Sequence, residues 1–409
     1  MNDLKKLFKV IWKRFSVWIG LFAILTFMIN GLSAREQTKQ YQEYLTSSVA
    51  NMARNLEVEA PRAGKKFDKD YIEKSDEIFE KFVKKYNIKF ADQDESDFYP
   101  SVYMDDNSDI DYELMDQASQ YKQVKRFLSS RTLGEEYYLK NIFAPILFFI
   151  CVIGFLITSL EQSLPYYEFS TMFPWKKRDE VWMKALILFG LGLLVLLANF
   201  IVSSLILTSS SLANIVSPPS MGSLLLKMIL IMLATSIMIV STGMIAGNFL
   251  GHIGMMVVSV GGIELIWQNI RVIISVFSQD TIVNLDQGYE KFINNISLFA
   301  KPFMSILYTR TFYQSEFAYL IIAILWAILA YLVSQKLGGE KSGYMIISTS
   351  VEKIVKVLGI VSLTSLFYVI LSDTILGSNN IIIDIAIYAL GLLISIKLFD
   401  ILFKIRLKF

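Results

Sequence analysis

Few residues of this chain are suited to catalysis. Its 409 residues include one histidine, His252, and one cysteine, Cys151. This excludes a metal site of several histidines, any disulfide within the chain, and a Ser–His or Cys–His dyad away from His252. The stretch LGGEKSG (337–343) approaches a P-loop, but Glu340 lies between the glycine pair and the lysine, so the phosphate cradle is missing. We expect no catalytic residue, no metal site and no cofactor in this chain.

Three charged residues lie inside apolar stretches, where ionisable groups are candidates for function. Glu264 and Arg271 are seven residues apart, which is two helical turns, so they share one helix face. They form either a structural ion pair or part of a transport path. Asp384 lies near one end of the last apolar stretch. We take Glu264, Arg271 and Asp384 as the transport-path candidates.

Glycines are concentrated at 243–262. Gly247 and Gly251 form a G-x-x-x-G motif, which permits close approach of helices. The same stretch coincides with a tight turn between two apolar segments, and we favour the turn as the reason for the glycines. His252 is then predicted to be a loop residue rather than a proton relay.

The densest basic cluster among the apolar stretches is MFPWKKRDEVWMK (172–184). Pro174 suits the first position of a helix, where its missing N–H costs nothing. Two opposite-charge pairs follow at i,i+4 spacing, Lys176 with Glu180 and Glu180 with Lys184. The two tryptophans fall on another face. We predict a short amphipathic helix with half-buried tryptophans and outward cations, which rests on anionic lipid or docks into a partner protein.

The elements that position these residues are membrane-spanning helices. The chain is 54% hydrophobic with a mean hydropathy of +0.47, and runs of about 20 apolar residues, long enough to cross a bilayer, recur along it. The predicted fold class is an all-α polytopic membrane protein with eight transmembrane helices. We place the spans at about 15–34, 141–160, 185–208, 223–246, 251–275, 317–335, 355–374 and 381–403.

The distribution of basic residues predicts the orientation. With the N-terminus inside, the four inner segments carry sixteen Lys and Arg residues, whereas the short outer loops carry three. By the positive-inside rule both termini are then cytoplasmic. The predicted location is the bacterial plasma membrane, with the chain crossing it several times.

A polar segment, 35–139, separates the first two spans. It contains 16 basic and 22 acidic residues and is predicted to be a small, mainly helical extracellular domain. The helical periodicity covers 71–86 and 112–133. The acidic stretch 92–111 between them lacks a calcium-loop pattern and is interpreted as a solvated charge run. The domains are thus 1–34, 35–139 and 140–409, the last with seven spans and the cytoplasmic loops.

Two cytoplasmic segments resemble inner loops of ABC-2 type transporter permeases, the membrane subunits of bacterial ATP-binding-cassette exporters. In that family Leu-Pro-x-x-[RK]-x-[DE] often follows the second span, and a Lys begins the third. The first loop segment (173–184) is similar, with Phe173 in place of Leu. The second loop segment (336–343) resembles a basic-x-x-Glu-x-[SA]-Gly stretch, although Lys336 is one place further from Glu340 than the pattern asks.

The resemblance implies an exporter permease without an ATPase of its own. ATP and Mg would be bound by cytoplasmic ABC ATPase subunits, and a second copy or a paralogue would complete a dimer in the membrane lipid; no nucleic acid is expected. The inner loops would form coupling helices. The implied ATPase-coupling residues are Phe173, Pro174, Trp175, Lys177, Arg178, Asp179, Trp182, Lys184, Glu340, Ser342 and Gly343.

Two other functions compete with this one. A membrane sensor or scaffold would explain the 35–139 domain, but it predicts neither eight spans nor a basic helix started by proline. An ion-coupled secondary transporter would use Glu264, Arg271 and Asp384, although no inverted repeat is visible in the hydropathy pattern. The substrate of an exporter would be a peptide or an amphipathic, lipid-like molecule.

Overall fold

The computed structural model describes residues 2–62, 64, 66–90, 102–104, 112–129, 131–164, 176–216, 221–277, 285, 286, 288, 289, 291, 312–334, 343–376 and 381–407. At some of these positions, Lys177 and Glu264 among them, the description does not extend to the side chain. The helices that concern us are α1 (Asn2–Asn55), α2 (Lys69–Lys85), α3 (Tyr112–Ser129), α4 (Arg131–Phe155), α5 (Glu161–Ser163), α6 (Lys177–Ser209), α7 (Met221–Ile245), α8 (Phe249–Phe277), α9 (Phe312–Ser334), α10 (Thr349–Tyr368) and α11 (Ile381–Lys404). Two π-helical segments, Leu156–Leu160 and Val369–Leu376, continue α4 and α10.

Seven helices of the described chain are long and apolar enough to cross a membrane. They confirm an all-α, multi-pass membrane protein and coincide with seven of the eight predicted spans. Their bounds are Asp3–Asn55, Asn141–Ser163, Arg178–Ser209, Gly222–Ile245, Glu316–Ser334, Thr349–Ser372 and Ile381–Lys404.

The remaining predicted span, 251–275, lies within α8. This helix has 29 residues, and its two fully described stretches, Phe249–Ser259 and Leu265–Phe277, are apolar but each shorter than a span. The eighth crossing, the orientation and the extracellular location of 35–139 therefore stay predictions.

Helix α1 does not end where the apolar run ends. It continues for about 20 residues into the predicted extracellular domain and stops at Asn55. Tyr41, Leu45 and Val49 recur every four residues on this extension and are buried. The sequence becomes polar at residue 35, so the surroundings of the helix change there. The helical backbone continues, because no proline interrupts it.

The described remainder of the polar segment contains helices α2 and α3, where helices were predicted, and one antiparallel pair of strands. The Asp68 side chain caps α2 by accepting from the Tyr71 amide at 2.8 Å. Strands β1 (Ile88–Phe90) and β2 (Val102–Met104) pair antiparallel. Most of the acidic stretch 92–111 lies outside the described residues.

Helices α2 and α3 share a small core with a polar contact at its edge. Phe82 of α2 and Tyr121 of α3 are almost completely buried. The Tyr121 hydroxyl donates to Asp76 Oδ1 at 2.8 Å, and Lys125 Nζ lies 2.7 Å from the same oxygen. Burial and the neighbouring Asp76 carboxylate both raise the pKa of Tyr121.

The described chain divides into two compact units. The first comprises Met1–Gly20, Phe149–Gly192 and Ile229–Phe409, and the second comprises Leu21–Phe148 and Leu193–Met228. Both loop segments belong to the first unit, whereas the whole range of the predicted extracellular domain, 35–139, belongs to the second.

Candidate functional site

Four charged side chains meet in the first unit, and two of them, Glu180 and Lys184, belong to the first loop segment. Lys184, in the second turn of α6, is fully buried, and its Nζ lies 2.7 Å from Glu180 Oε1 and 2.7 Å from Glu161 Oε2. The other oxygen of Glu161, Oε1, lies 2.5 Å from Arg14 Nη1. We call Arg14, Glu161, Glu180 and Lys184 the ion cluster. Its two positive and two negative charges balance.

The ion cluster joins the ends of three spans. Arg14 belongs to α1, Glu161 begins α5 at the end of the second span, and Lys184 belongs to α6. A buried ion pair contributes little net stability, yet removing one partner costs about 3–5 kcal/mol because it leaves a buried charge uncompensated. The cluster therefore holds these helix ends in one arrangement.

A π-helical turn precedes the ion cluster. Residues Leu156–Leu160 form this turn, and such turns interrupt α-helices mostly at functional sites. Its side chains Thr158 and Ser159 are fully buried and face His252. The distances from His252 Nδ1 are 3.5 Å to Thr158 Oγ1 and 3.0 Å to Ser159 Oγ.

His252 is not the loop residue that we predicted from the sequence. It lies in the first turn of α8 and is fully buried. Its Nε2 is 2.9 Å from the Ile239 carbonyl oxygen, which can only accept, so Nε2 carries the proton and Nδ1 accepts. The Thr158 hydroxyl donates to the Gly154 carbonyl at 2.6 Å, whereas Ser159 Oγ lies closer to Nδ1, at 3.0 Å, than to its backbone acceptor, the Phe155 carbonyl at 3.4 Å, so we assign Ser159 as the donor to Nδ1.

We call Thr158, Ser159, Thr242 and His252 the imidazole cluster. Thr242 Oγ1 lies 3.2 Å from His252 Nε2 and thus adds α7 to the contacts. Gly243 leaves room for the cluster, because a Cβ at this position would lie 2.3 Å from Thr158 Oγ1 and 2.6 Å from His252 Cε1.

The end of the second loop segment lies in a backbone junction. Gly343 has a φ of 88°, its amide donates to the Gly247 carbonyl at 2.9 Å, and its carbonyl accepts from Asn248 Nδ2 at 2.9 Å and from the Leu407 amide at 2.8 Å. The Gly247 amide in turn donates to the Met345 carbonyl at 3.1 Å. Three segments distant in sequence thus converge on one glycine, and a positive φ favours glycine there.

Glycine is needed at the two positions of the G-x-x-x-G motif for different reasons. Gly247 lies in the turn between α7 and α8, as predicted. Gly251 lies inside α8, and a Cβ there would come within 1.8 Å of the Met345 carbonyl oxygen. Its role is therefore a close approach, made to the backbone of an irregular segment rather than to a second helix.

The first loop segment differs from its predicted form. Its described part is the beginning of α6, which runs without interruption from Lys177 to Ser209, so these residues do not form a separate short helix. The Glu180–Lys184 pair is confirmed, but both side chains point inward, because Glu161 offers Lys184 a second carboxylate. The prediction of outward cations is wrong for Lys184.

The other members of the first loop segment are only partly described. Phe173, Pro174, Trp175 and the Lys177 side chain lie outside the described residues. The Arg178 guanidinium carbon lies 5.6 Å from the centre of the Tyr331 ring on α9, and its Nε lies 3.6 Å from Asp179 Oδ1. Trp182 is 38% exposed. In the second loop segment Glu340 and Ser342 lie outside the description, and Gly343 is in the junction.

Two of the three transport-path candidates, Arg271 and Asp384, are described with separate partners. Arg271 Nε lies 3.4 Å from Asp286 Oδ2, next to a parallel stack of Trp267 on Tyr289. Asp384 is buried and accepts from Ser372 Oγ at 2.6 Å. The backbone of Glu264 is in α8, but its side chain lies outside the description.

Sequence reasoning missed Arg14 and Glu161. A charge at the edge of an apolar run is usually interpreted as an interfacial residue that reaches the headgroups. The one visible sign was that Glu161 directly follows the second apolar run. Its contacts with Arg14 and Lys184 connect residues far apart in sequence, which a spacing rule does not reveal.

A polar seam inside the second unit was also missed. Asn30 Nδ2 donates to the Asn199 carbonyl at 2.9 Å, and Ser203 Oγ donates to Asn30 Oδ1 at 2.8 Å. Further along α1, Ser33 Oγ donates to Asn141 Oδ1 at 2.7 Å. Such bonds hold membrane helices together where lipid cannot satisfy polar groups, so we assign the seam a packing role.

Among the described residues no group of three or more His, Cys, Asp or Glu side chains is placed to hold a metal ion.

Comparison with known proteins adds no relative to this description. No protein-family model matches the chain, and neither a curated protein nor a solved structure is significantly similar to it. Its function is therefore inferred from its own residues and contacts.

Proposed function

We propose that this chain is the membrane-spanning permease subunit of an ATP-binding-cassette exporter, driven by ATP hydrolysis in separate cytoplasmic ATPase subunits. The multi-pass helical fold and the resemblance of the two loop segments to ABC-2 type permeases support this. The observation that carries the proposal is the ion cluster at the base of the first loop segment.

A coupling loop must pass movement of a partner protein to several spans at once. Glu161 precedes residues 165–175 in the sequence, whereas Glu180 and Lys184 follow them, and the 2.7 Å contacts of Lys184 connect the two sides. Arg14 adds the first span to the same clamp. A force on the loop would therefore act on three helices together.

The second loop segment has an equivalent attachment. Gly343 is bonded to the α7–α8 turn and to the residues that follow α11, so a displacement of this segment would act on those helices. Both segments that resemble coupling loops thus lead into buried polar contacts of the first unit.

The finer assignments belong to the same proposal. The chain would lie in a bacterial plasma membrane with both termini cytoplasmic, and would work as a homodimer or with a paralogue. Its substrate class would be a peptide or an amphipathic, lipid-like molecule. The coupling residues would be those of the two loop segments, with Arg178 and Trp182 available to contact the ATPase.

One observation favours a second candidate, an ion-coupled secondary transporter. Asp384 is a buried carboxylate within α11, and the partner described for it is the neutral hydroxyl of Ser372. Such groups in spans often belong to ion paths. Substrate movement in proteoliposomes under an ion gradient, with no ATPase subunit and no nucleotide, would support this candidate and contradict the exporter.

The exporter is tested by purification of the tagged full-length chain from membranes of its source organism. We expect a P-loop ATPase to co-purify in stoichiometric amount and to be lost from the double variant Arg178→Glu, Trp182→Ala. Lys9→Glu, which reverses an exposed charge in α1, is the matched control and should retain the ATPase. A double variant that keeps the ATPase bound and its transport-coupled hydrolysis unchanged would contradict the role of this loop.

A further inference from the structure

The ion cluster and the imidazole cluster are joined by one short piece of chain. The π-helical turn contributes Thr158 and Ser159 to the imidazole cluster, and the next residue after the turn is Glu161 of the ion cluster. Every side chain from Ile157 to Ser159 and from Glu161 to Ser163 is buried. The two clusters therefore share a short stretch of backbone in which most side chains are buried.

The packing beside this piece of chain is tight at two glycines. A Cβ at Gly154 would lie 2.2 Å from Ile239 Cγ2, and one at Gly243 would lie 2.3 Å from Thr158 Oγ1. Close-packed interiors transmit displacements because no void absorbs them. A shift of Glu161 along its helix would thus be passed to Thr158, Ser159 and their partner His252.

His252 carries the connection onward to the backbone junction. Its amide donates to the Asn248 carbonyl at 3.0 Å in the first turn of α8. The Asn248 side chain accepts from the Gly251 amide at 2.9 Å and donates to the Gly343 carbonyl at 2.9 Å. The first turn of α8 is therefore held on one side by the imidazole cluster and on the other by the junction.

We propose that the segment Leu156–Ser163 is a relay that makes the ion cluster and the backbone junction respond together, with His252 as the positioning residue between them. The significance of the relay rests on the proposed function, since its two ends are the segments that we assign to ATPase contact. Its existence is a property of this chain alone, so it can be tested without a partner.

The test measures hydrogen–deuterium exchange of the full-length chain in nanodiscs, without ATPase and without nucleotide. The perturbation is Glu161→Gln, which removes the charge shared by Arg14 and Lys184 and keeps the side-chain shape. The readout is the pair of peptides that contain the bonded amides of Gly247 and Gly343. We expect exchange there to accelerate roughly fivefold or more, the lower end of the coupling measured between distant sites.

A double-mutant cycle then assigns the coupling to His252. In the His252→Phe background, Glu161→Gln should leave junction exchange unchanged, because Phe cannot bond to Ser159 or to the Ile239 carbonyl. His252→Gln keeps a donor and an acceptor and should restore most of the effect. A purely structural role of His252 predicts additive changes instead, and additivity would overturn the assignment.

Two controls separate coupling from general destabilisation. Lys356→Met breaks a half-exposed lysine–carboxylate contact, Lys356 with Asp400, elsewhere in the first unit and should leave junction exchange unchanged. The Phe67 amide of the second unit, bonded to the Ser211 carbonyl at 2.9 Å, should not respond to either variant. If Glu161→Gln does not fold, Ser159→Ala removes one hydroxyl of the relay and should accelerate junction exchange in the same direction.

The relay is wrong if Glu161→Gln, or Ser159→Ala in its place, leaves exchange at Gly247 and Gly343 unaltered, or if Lys356→Met alters it equally. Either result leaves the ATPase partnership untouched, because no ATPase is in the sample. Loss of ATPase co-purification, conversely, would not change these exchange rates. The two proposals therefore fail independently.

Discussion

Lys184 Nζ lies 2.7 Å from Glu161 Oε2, although the two residues belong to different spans and both side chains are buried. In the sequence Lys184 belongs to a basic loop segment, and in the structure it is the centre of the ion cluster. This contact is the basis of the first prediction, because it gives Lys184 a role within the chain, the balancing of buried carboxylates, that needs no partner protein.

Lys184→Met should strongly destabilise the chain. The substitution leaves Glu161 and Glu180 buried near each other with Arg14 as the remaining cation of the ion cluster, and breaking a buried pair in this way costs about 3–5 kcal/mol. Thermal unfolding of the purified chain in nanodiscs measures the effect. Lys176→Met is the control, since Lys176 is exposed and should change stability by less than about 0.5 kcal/mol. Equal effects of the two variants would contradict the buried cluster.

Gly251→Ala should disturb the backbone junction, whereas Gly254→Ala on the same helix should not. A Cβ at Gly251 would lie 1.8 Å from the Met345 carbonyl oxygen, and backbone cannot move aside cheaply, so we expect a cost of about 1–3 kcal/mol. Among the described residues, no atom apart from the adjoining backbone of the helix itself lies within 4 Å of the Cβ position at Gly254, where alanine improves helix propensity by up to about 1 kcal/mol. Unfolding temperatures of the two variants should therefore move in opposite directions.

The spans could be predicted because each needs only a run of apolar residues, and seven of them are found where the sequence placed them. The i,i+4 pair Glu180–Lys184 could also be predicted, since helix geometry alone brings these side chains together. In both cases the information is local. The length of α1 beyond residue 34 was missed because hydropathy reports the medium around a helix and not the end of its backbone.

The contacts that define the site could not be predicted in this way. Arg14, Glu161 and Lys184 meet only after three helices pack, and a single sequence carries no signal for which charges become neighbours. His252 was placed in a loop because glycines surround it, although Gly243 and Gly251 serve close packing rather than chain reversal. Glycine has several uses, and composition does not distinguish them.

The stability of the α2–α3 region should fall at alkaline pH because of Tyr121. Burial and the hydrogen bond to Asp76 raise its pKa in the folded chain above the ordinary value of 10.0. Below about pH 10 both folded and unfolded chains keep the proton, and above it the unfolded chain loses the proton first, so the free energy of unfolding decreases. In Tyr121→Phe this decrease should be smaller, although the variant is less stable near neutral pH. Unfolding temperatures of both proteins between pH 8 and 11 provide the measurement, and parallel pH profiles would contradict the prediction.

Substitutions of Asn248 should separate its two hydrogen bonds. Its Oδ1 caps α8 through the Gly251 amide, and its Nδ2 holds the Gly343 carbonyl. Asn248→Ser preserves a good capping oxygen but replaces the amide donor with a shorter hydroxyl, whereas Asn248→Ala removes both the acceptor and the donor, and loss of a cap alone costs about 1 kcal/mol. We expect faster hydrogen exchange at Gly343 in both variants and an additional loss of unfolding temperature in Asn248→Ala only.

Because the Gly343 carbonyl also accepts from the Leu407 amide, removing residues 405–409 should accelerate exchange at the junction without affecting the α8 cap. If the truncation leaves junction exchange unchanged, the C-terminal residues have no part in holding the second loop segment.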